Sequence, residues 1–548
     1  MENTLSQKNP RQYLARIRPS RKSQPIVVAV SEVAAATEAV AQATETIAVV
    51  AEIVEDIAAA EARRRRWRLV SLVLWILVAA GAVLGGAGFW VERTFGKISV
   101  DQLLLNLSGG GGEGAGGTEL MWGAVTTILC VPLFLTTLMI LLVEIMRRAV
   151  SRRDGLCRPR LVRGIAAVLA LLVPVSGVSI FANAIGLRDY VQAALREASL
   201  GTSIADYYTK PVVVSGVDDE TSRNLVLIYL ESTEDTFADD RLFEKNMLEP
   251  VQSVTQGWES IPRLHQYEGG GWTMAGIVST QCGIPLRSVT DRADNDELNT
   301  LGAEGSELES YMPGATCLGD VLADEGYRNV FLGGADARFA GKGAFFSGHG
   351  YDEVDDLGVW RGLGETEIRD DWGLSDRRLF ERAKDTVTEL HEADAPFNLT
   401  ILTLDTHEGP RVFEYCSWDT DTAMTSITFC SMQQVAGFID FMRDEGYLED
   451  TAVVIMGDHL KMVAQGGSFW DELHGREGRT IFNRIWTPDG ERMARPEIDQ
   501  LSVYPTILEL LGIELADHRA GVGVSALVAP RKSPQGRFSN LNPMNIST

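Results

Sequence analysis

Three apolar runs, Leu69–Trp90, Met121–Val143 and Gly164–Leu187, constrain this chain more than any other feature. Each is long enough to cross the roughly 30 Å hydrocarbon core of a bilayer as a helix. Arg63, Arg64, Arg65 and Arg66 precede the first run. Arg147, Arg148, Arg152, Arg153, Arg158, Arg160 and Arg163 follow the second, opposed only by Asp154. The connection between the first two runs is Gly-rich and nearly free of Lys and Arg. The positive-inside rule therefore puts both arginine clusters and the N-terminus inside, and everything after about Arg188 outside. No secretory signal fits, because the first apolar run begins too late.

Charge follows the same division. Residues 1–188 hold 21 Lys/Arg against 14 Asp/Glu, and the remainder 29 against 61. So acidic an exported part argues against nucleic acid as a partner, since phosphate backbones need basic patches. The expected organisation is a disordered cytoplasmic tail (1–28), a cytoplasmic Ala-rich helix (29–66) and a transmembrane region (67–188). A linker (189–221), an exported catalytic domain (222–530) and a C-terminal tail (531–548) follow. Composition leaves the Ala-rich helix as a membrane-surface helix, a partner for another helix or a tether. Cys130 falls in a span and Cys157 in the inner loop. Cys282, Cys317, Cys416 and Cys430 lie in the exported part, where disulfides persist. Four cysteines allow three connectivities; Cys282–Cys317 and Cys416–Cys430 are favoured, the second closing a short loop.

Within 222–530, apolar strand-like runs alternate with amphipathic helices, the pattern of an α/β domain with a mostly parallel central sheet. Strands are expected at Asn224–Leu230, Asn329–Leu332, Asn398–Leu404 and Ala452–Met456, and helices at Leu379–Leu390 and Ser431–Glu445. Ligands of such sheets gather beyond the carboxyl ends of the strands. Glu231 follows the first strand, Asp405-Thr406-His407 the third and Asp458-His459 the fourth. Between them, Gly269-Gly270-Gly271-Trp272-Thr273 leads into an apolar helical run. Its glycines let the backbone approach a ligand, and the free amides of a helix N-terminus favour a phosphate beside the Thr273 hydroxyl. Carboxylates, one imidazole and a hydroxyl suit a divalent ion such as Mn²⁺, with Zn²⁺ or Mg²⁺ also compatible.

Several stretches carry a family resemblance. They are Tyr229-Leu230-Glu231-Ser232, Gly271-Trp272-Thr273-Met274-Ala275-Gly276, Gln281-Cys282-Gly283-Ile284-Pro285-Leu286, Asp405-Thr406-His407 and Gly457-Asp458-His459-Leu460. In this order, between about Asn224 and Gly523, they resemble the membrane-bound phosphoglycerol transferases of the alkaline phosphatase/sulfatase superfamily. The likeness is greatest to the branch that modifies osmoregulated periplasmic glucans, with the lipoteichoic acid synthases more distant. The resemblance implies that Glu231, Thr273, Asp458 and His459 bind the metal, with Mn²⁺ expected. Thr273 would also be the nucleophile, and His407 a substrate-side histidine.

Gly333-Gly334-Ala335-Asp336-Ala337-Arg338-Phe339-Ala340-Gly341-Lys342 looks like the branch's substrate loop, with Arg338 and Lys342, beside Asp336, as expected substrate contacts. The lipoteichoic synthases carry a Trp and an Arg here, where this chain has Phe339 and Gly341 or Lys342, which weakens a reading as a glycerol-phosphate polymerase. Asp371-Trp372-Gly373 also resembles a family stretch, with Trp372 expected to pack beneath the site. The function implied is transfer of phosphoglycerol from phosphatidylglycerol to a periplasmic glucan, at the periplasmic face of a bacterial inner membrane. The alternatives are a phosphoethanolamine transferase of the same superfamily and a catalytically inactive glycan-binding or sensor protein.

Overall fold

The computed structural model describes residues 24–108, 117–152, 159–200, 204–216, 223–287, 301–304, 307–393 and 395–529. The expectations for residues 1–23, Arg153, Arg158, Cys157 and the 531–548 tail lie outside the described residues. The chain divides into two compact units, Met1–Leu77 and Val78–Thr548.

The first unit is, among its described residues, the greater part of one long helix, α1 (Gln24–Thr94). Alanine loses no side-chain entropy on entering a helix, and no glycine interrupts the chain from Gln24 to Ala80, so nothing stops it.

Among the described residues, three helices are long and apolar enough to cross a membrane, Val30–Thr94, Leu120–Met146 and Ala167–Ala184. The second is α2 (Val131–Arg152), entered through a π-helical turn over Val125–Cys130; the third is α3 (Pro159–Ala184). Within the second unit, glycines let α1 and α3 approach closely. A Cβ on Gly177 would sit 1.8 Å from the Gly81 carbonyl oxygen, and one on Gly88 2.7 Å from the Phe181 backbone. This is the small-residue packing on which apolar helices rely in lipid, where hydrophobicity drives no association. The expected linker instead begins with an amphipathic helix, α4 (Leu187–Leu200).

The part of the chain after residue 222 is built on a six-stranded sheet. Its strands are β1 (Asn224–Leu230), β2 (Arg328–Gly333), β3 (Glu353–Asp355), β4 (Phe397–Leu402), β5 (Thr451–Gly457) and β6 (Asn483–Trp486), in the order β6-β5-β1-β4-β2-β3. All pairs are parallel except β6 with β5. Helices cover both faces, which is why β1 reads as a continuous apolar run. Its Leu225, Leu227 and Tyr229 join one core with Ile277, Val278 and Leu508. Its Val226, Ile228 and Leu230 join the other with Leu379, Phe380, Phe438 and Ile439. These four belong to α6 (Asp376–Glu392) and α7 (Ala423–Asp444). The fold is thus α/β with a mostly parallel sheet, and it brings the carboxyl ends of β1, β4 and β5 side by side. Disulfides join Cys282 to Cys317 and Cys416 to Cys430.

Candidate active site

Glu231 directly follows β1, and the chain turns at Ser232 with φ 54°. That left-handed conformation strains a residue with a side chain, and both polar groups of Ser232 are used. Its amide donates to Asp458 Oδ1 at 2.8 Å and its hydroxyl to Glu231 Oε1 at 2.6 Å. Asp458 and His459 follow β5 directly. Gly457 is needed at the strand's end, because a Cβ there would lie 2.0 Å from the Thr233 carbonyl oxygen.

Thr273 opens α5 (Thr273–Cys282), a helix buried along all the rest of its length. The residue before it, Trp272, is extended and offers no side-chain cap. The Thr273 hydroxyl, instead of capping its own helix, donates to Glu231 Oε2 at 3.3 Å. Gly276, one turn on, lets the helix lie against the Asp458 backbone. Gln500 fastens the same backbone from behind, its side-chain amide donating to the Asp458 carbonyl at 2.8 Å.

Glu231, Asp458 and His459 form a buried group whose ligand atoms all lie within 4.8 Å of one another. His459 Nε2 is 3.8 Å from Glu231 Oε1 and 3.6 Å from Asp458 Oδ2. His459 Nδ1 donates to the Leu460 carbonyl at 2.8 Å, which leaves Nε2 with a free lone pair. Asp458 Oδ1 takes two amides, from Ser232 and His459, whereas Oδ2 is buried with no hydrogen-bond partner. Such an orphan is costly unless a cation meets it. Burial pushes the Asp458 carboxyl up, with His459 opposing and Glu231 adding to the rise. Burial also pushes Glu231 up, but His407, His459 and the Ser232 hydroxyl outweigh it and bring that carboxyl down. The donor set therefore fits a divalent ion. Among the described residues the other such cluster is Cys317, Asp320 and His349, where Cys317 is already bonded to Cys282.

His407 faces this centre from the loop after β4. Its ring lies against the Trp372 indole, with centroids 3.5 Å apart, and Phe339 meets the same indole edge-on at 5.9 Å. Burial pushes the imidazole down to about 4, against the pull of Glu231, so it is neutral near pH 7. Asp405 Oδ2 accepts the Asp376 backbone amide at 3.0 Å, and burial, with Asp376 alongside, pushes its carboxyl well above the ordinary range. It braces the loop. Arg369, itself buried, donates to the Asp405 and Gly409 carbonyls at 3.2 and 2.8 Å.

The 333–342 loop separates its basic residues. Arg338 is exposed and ion-paired with Asp336 at 2.7 Å. Lys342 is buried, its ammonium donating to the Phe339 carbonyl at 3.3 Å. Burial pushes it down to about 8, opposed first by Glu231 and also by Asp336, Asp356 and Asp458. Lys342 thus feels the acids of the centre, and Arg338 is engaged by its own neighbour.

Sequence reasoning passed over Lys461. It is buried, donates to the Thr406 carbonyl at 3.1 Å and pairs with Glu408 at 3.2 Å, tying the Asp458-His459 loop to the His407 loop. Its position two residues after His459 was the available signal. Gln266, which accepts the Leu460 amide at 2.8 Å, carried none. The same loop reaches the ends of the apolar helices. Met462 packs against the cluster of Val91, Ile98, Val100, Ala184 and Ile185, and a Cβ on Gly96 would lie 2.5 Å from the Val463 carbonyl oxygen.

Comparison with known proteins adds to this geometry. The family described as Sulfatase matches residues 223–513. Phosphoglycerol transferase I of Xanthomonas axonopodis pv. citri (strain 306) is 32% identical over 421 residues, covering 71% of this chain and 55% of that protein. Phosphoglycerol transferase I of Escherichia coli (strain 55989 / EAEC) is 29% identical over 376 residues, covering 66% and 46%. The chain spans about half the length of the curated relatives it matches. Among solved structures, the lipoteichoic acid synthase LtaP from Listeria monocytogenes superposes with a TM-score of 0.43 at 16% identity, over 59% of this chain and 80% of that one.

Proposed function

The chain belongs to the sulfatase family, and from that premise we propose that it is a phosphoglycerol transferase. It takes the head of phosphatidylglycerol at the periplasmic face of a bacterial inner membrane and passes it to a periplasmic glucan. The similarity to phosphoglycerol transferase I over 71% of the chain supports the group transferred. The observation that carries the chemistry is the unpartnered Asp458 Oδ2 beside His459 Nε2 and Glu231, with Thr273 Oγ1 3.3 Å from the latter. The packing of the Lys461–Val463 segment on the ends of two apolar helices supports a lipid donor.

Glu231, Asp458 and His459 would hold the cation, with Mn²⁺ expected and Mg²⁺ or Zn²⁺ compatible with the same donors. When bound, it supplies Lewis acidity that lowers the pKa of the Thr273 hydroxyl and offsets charge on the phosphoryl oxygens. Thr273 Oγ1 attacks the diester phosphorus, the bond to the diacylglycerol oxygen breaks, and glycerophosphate is left esterified to the threonine. An acceptor hydroxyl then attacks the same phosphorus and frees Thr273. The neutral His407 takes the proton from each attacking hydroxyl and returns it to the leaving oxygen. Lys342 places positive charge near the phosphoryl group.

Purified full-length chain incubated with headgroup-labelled phosphatidylglycerol should acquire label and release diacylglycerol, and phosphatidylethanolamine should not substitute. A periplasmic glucan extract should then remove the label from the protein. A covalent adduct that persists in Thr273→Ala refutes the nucleophile.

A further inference from the structure

The segment before Arg63 carries a repeat that the catalytic reading leaves unused. Val33, Val40, Ile47 and Val54 recur every seven residues along α1, and Val30, Thr37, Thr44, Ala51 and Ala58 recur every seven between them. Apolar residues at alternating three- and four-residue steps form the seam of a left-handed coiled coil. Val30, Val33, Val40, Ile47 and Val54 are all more than half exposed, and nothing among the described residues of the first unit covers them. The two threonines fit such a seam. Thr37 and Thr44 donate their hydroxyls to the Val33 and Val40 carbonyls at 2.7 Å, so they present methyl groups outward.

Charge identifies the occupant. From Gln24 to Ala62 there is no Lys or Arg, and Glu32, Glu38, Glu45, Glu52, Glu55, Asp56 and Glu61 are all acidic. A surface of anionic lipid repels such a segment. Two copies of it would repel each other as well, unless the acids stood clear of the contact. Up to Val54 they do: Glu38, Glu45 and Glu52 each follow a seam position by one residue, on the side turned away, and Glu32 lies on the other outer edge. The flanks of the seam there are Ala34, Ala36, Ala41, Ala43, Ala48 and Val50. Small flanks free of charge allow close approach of identical helices.

We infer that residues 30–58 form a parallel two-stranded coiled coil with a second copy of this chain. Each copy passes through Arg63–Arg66 into its first apolar span, so two copies in one bilayer run in the same direction. The test uses full-length chain in membranes with Cys130→Ser and Cys157→Ser as background. Val40→Cys and Ile47→Cys should give a disulfide-linked band of twice the chain mass on mild oxidation, while Gln42→Cys, on the opposite side, should give at least tenfold less. Light scattering of the detergent-solubilised parent should read two chains, and Ile47→Glu one. Equal cross-linking at Gln42, a cross-linked band of another mass, or a parent that weighs one chain overturns the inference.

Discussion

Gly276 and Asp458 are in contact backbone to backbone: a Cβ on Gly276 would fall 2.1 Å from the Asp458 carbonyl oxygen. That contact sets the distance between the helix that presents Thr273 and the loop that presents the acid and the histidine. Gly276→Ala must therefore move one or the other. The expected outcome is a loss of roughly 1–3 kcal/mol in stability, as in overpacked cores. Turnover should fall on the order of 100-fold, the effect of misplacing reacting groups by about an ångström. Thermal melts and a headgroup-transfer assay check both. Unchanged turnover would show that the approach is not needed for alignment.

Metal content gives the second prediction. Glu231→Gln, Asp458→Asn and His459→Ala should each leave the purified chain depleted of divalent ion by elemental analysis. In chelator the order of stability should invert. Without an ion, the parent buries an unpartnered carboxylate oxygen at Asp458, whereas the amide introduced by Asp458→Asn has no charge to desolvate. The chelated Asp458→Asn protein should melt at or above the chelated parent and below the metal-loaded parent.

Lys461 and Glu408 join two loops of the centre through a pair 3.2 Å long. A double-mutant cycle with Lys461→Met and Glu408→Gln should give a coupling of about 1–3 kcal/mol in stability. Turnover should fall in Lys461→Met while bound metal stays near that of the parent, since Lys461 contacts none of the three candidate ligands directly. Parallel loss of metal would place Lys461 among the supports of the ion instead.

Acidification tests a group away from the ion. Burial pushes Asp235 up to about 6, with Thr480 and Arg484 opposing and Glu234 adding. The folded state thus holds this proton more tightly than the unfolded chain does. Its stabilisation is present below about pH 4 and is lost as pH rises to 6, after which it stays constant. Asp235→Asn keeps the acceptor for the Thr480 hydroxyl, which donates at 2.7 Å. The difference in stability between variant and parent should grow in the variant's favour from pH 4 to 6, by at most about 3 kcal/mol. A flat difference across that range argues against the shift.

Trp372 lies against His407, and among the described residues no hydrogen bond joins it to the candidate ligands Glu231, Asp458 and His459. Trp372→Ala should lower turnover about tenfold by freeing the imidazole, with Trp372→Phe recovering most of it. Metal content measured in both variants should match the parent.

Much of this was written along the chain. The parallel strands β1, β4 and β5 are mostly apolar because helices cover both faces, so their ends could be read to within two residues, and the candidate site residues follow them at Glu231, His407, Asp458 and His459. The apolar runs and their arginines likewise declared themselves by length and charge. What the chain could not declare was approach. Gly276 against Asp458, Gly457 against Thr233 and Gly96 against Val463 are contacts between residues far apart in sequence, and a glycine looks the same whether it faces solvent or another backbone. Orientation was hidden for the same reason. Arg338 and Lys342 read as an equivalent pair until the fold left one in water with Asp336 and buried the other near the acids. Local pattern determines which residues end a strand or line a helix; only packing decides which of their atoms are left without a partner, as at Asp458.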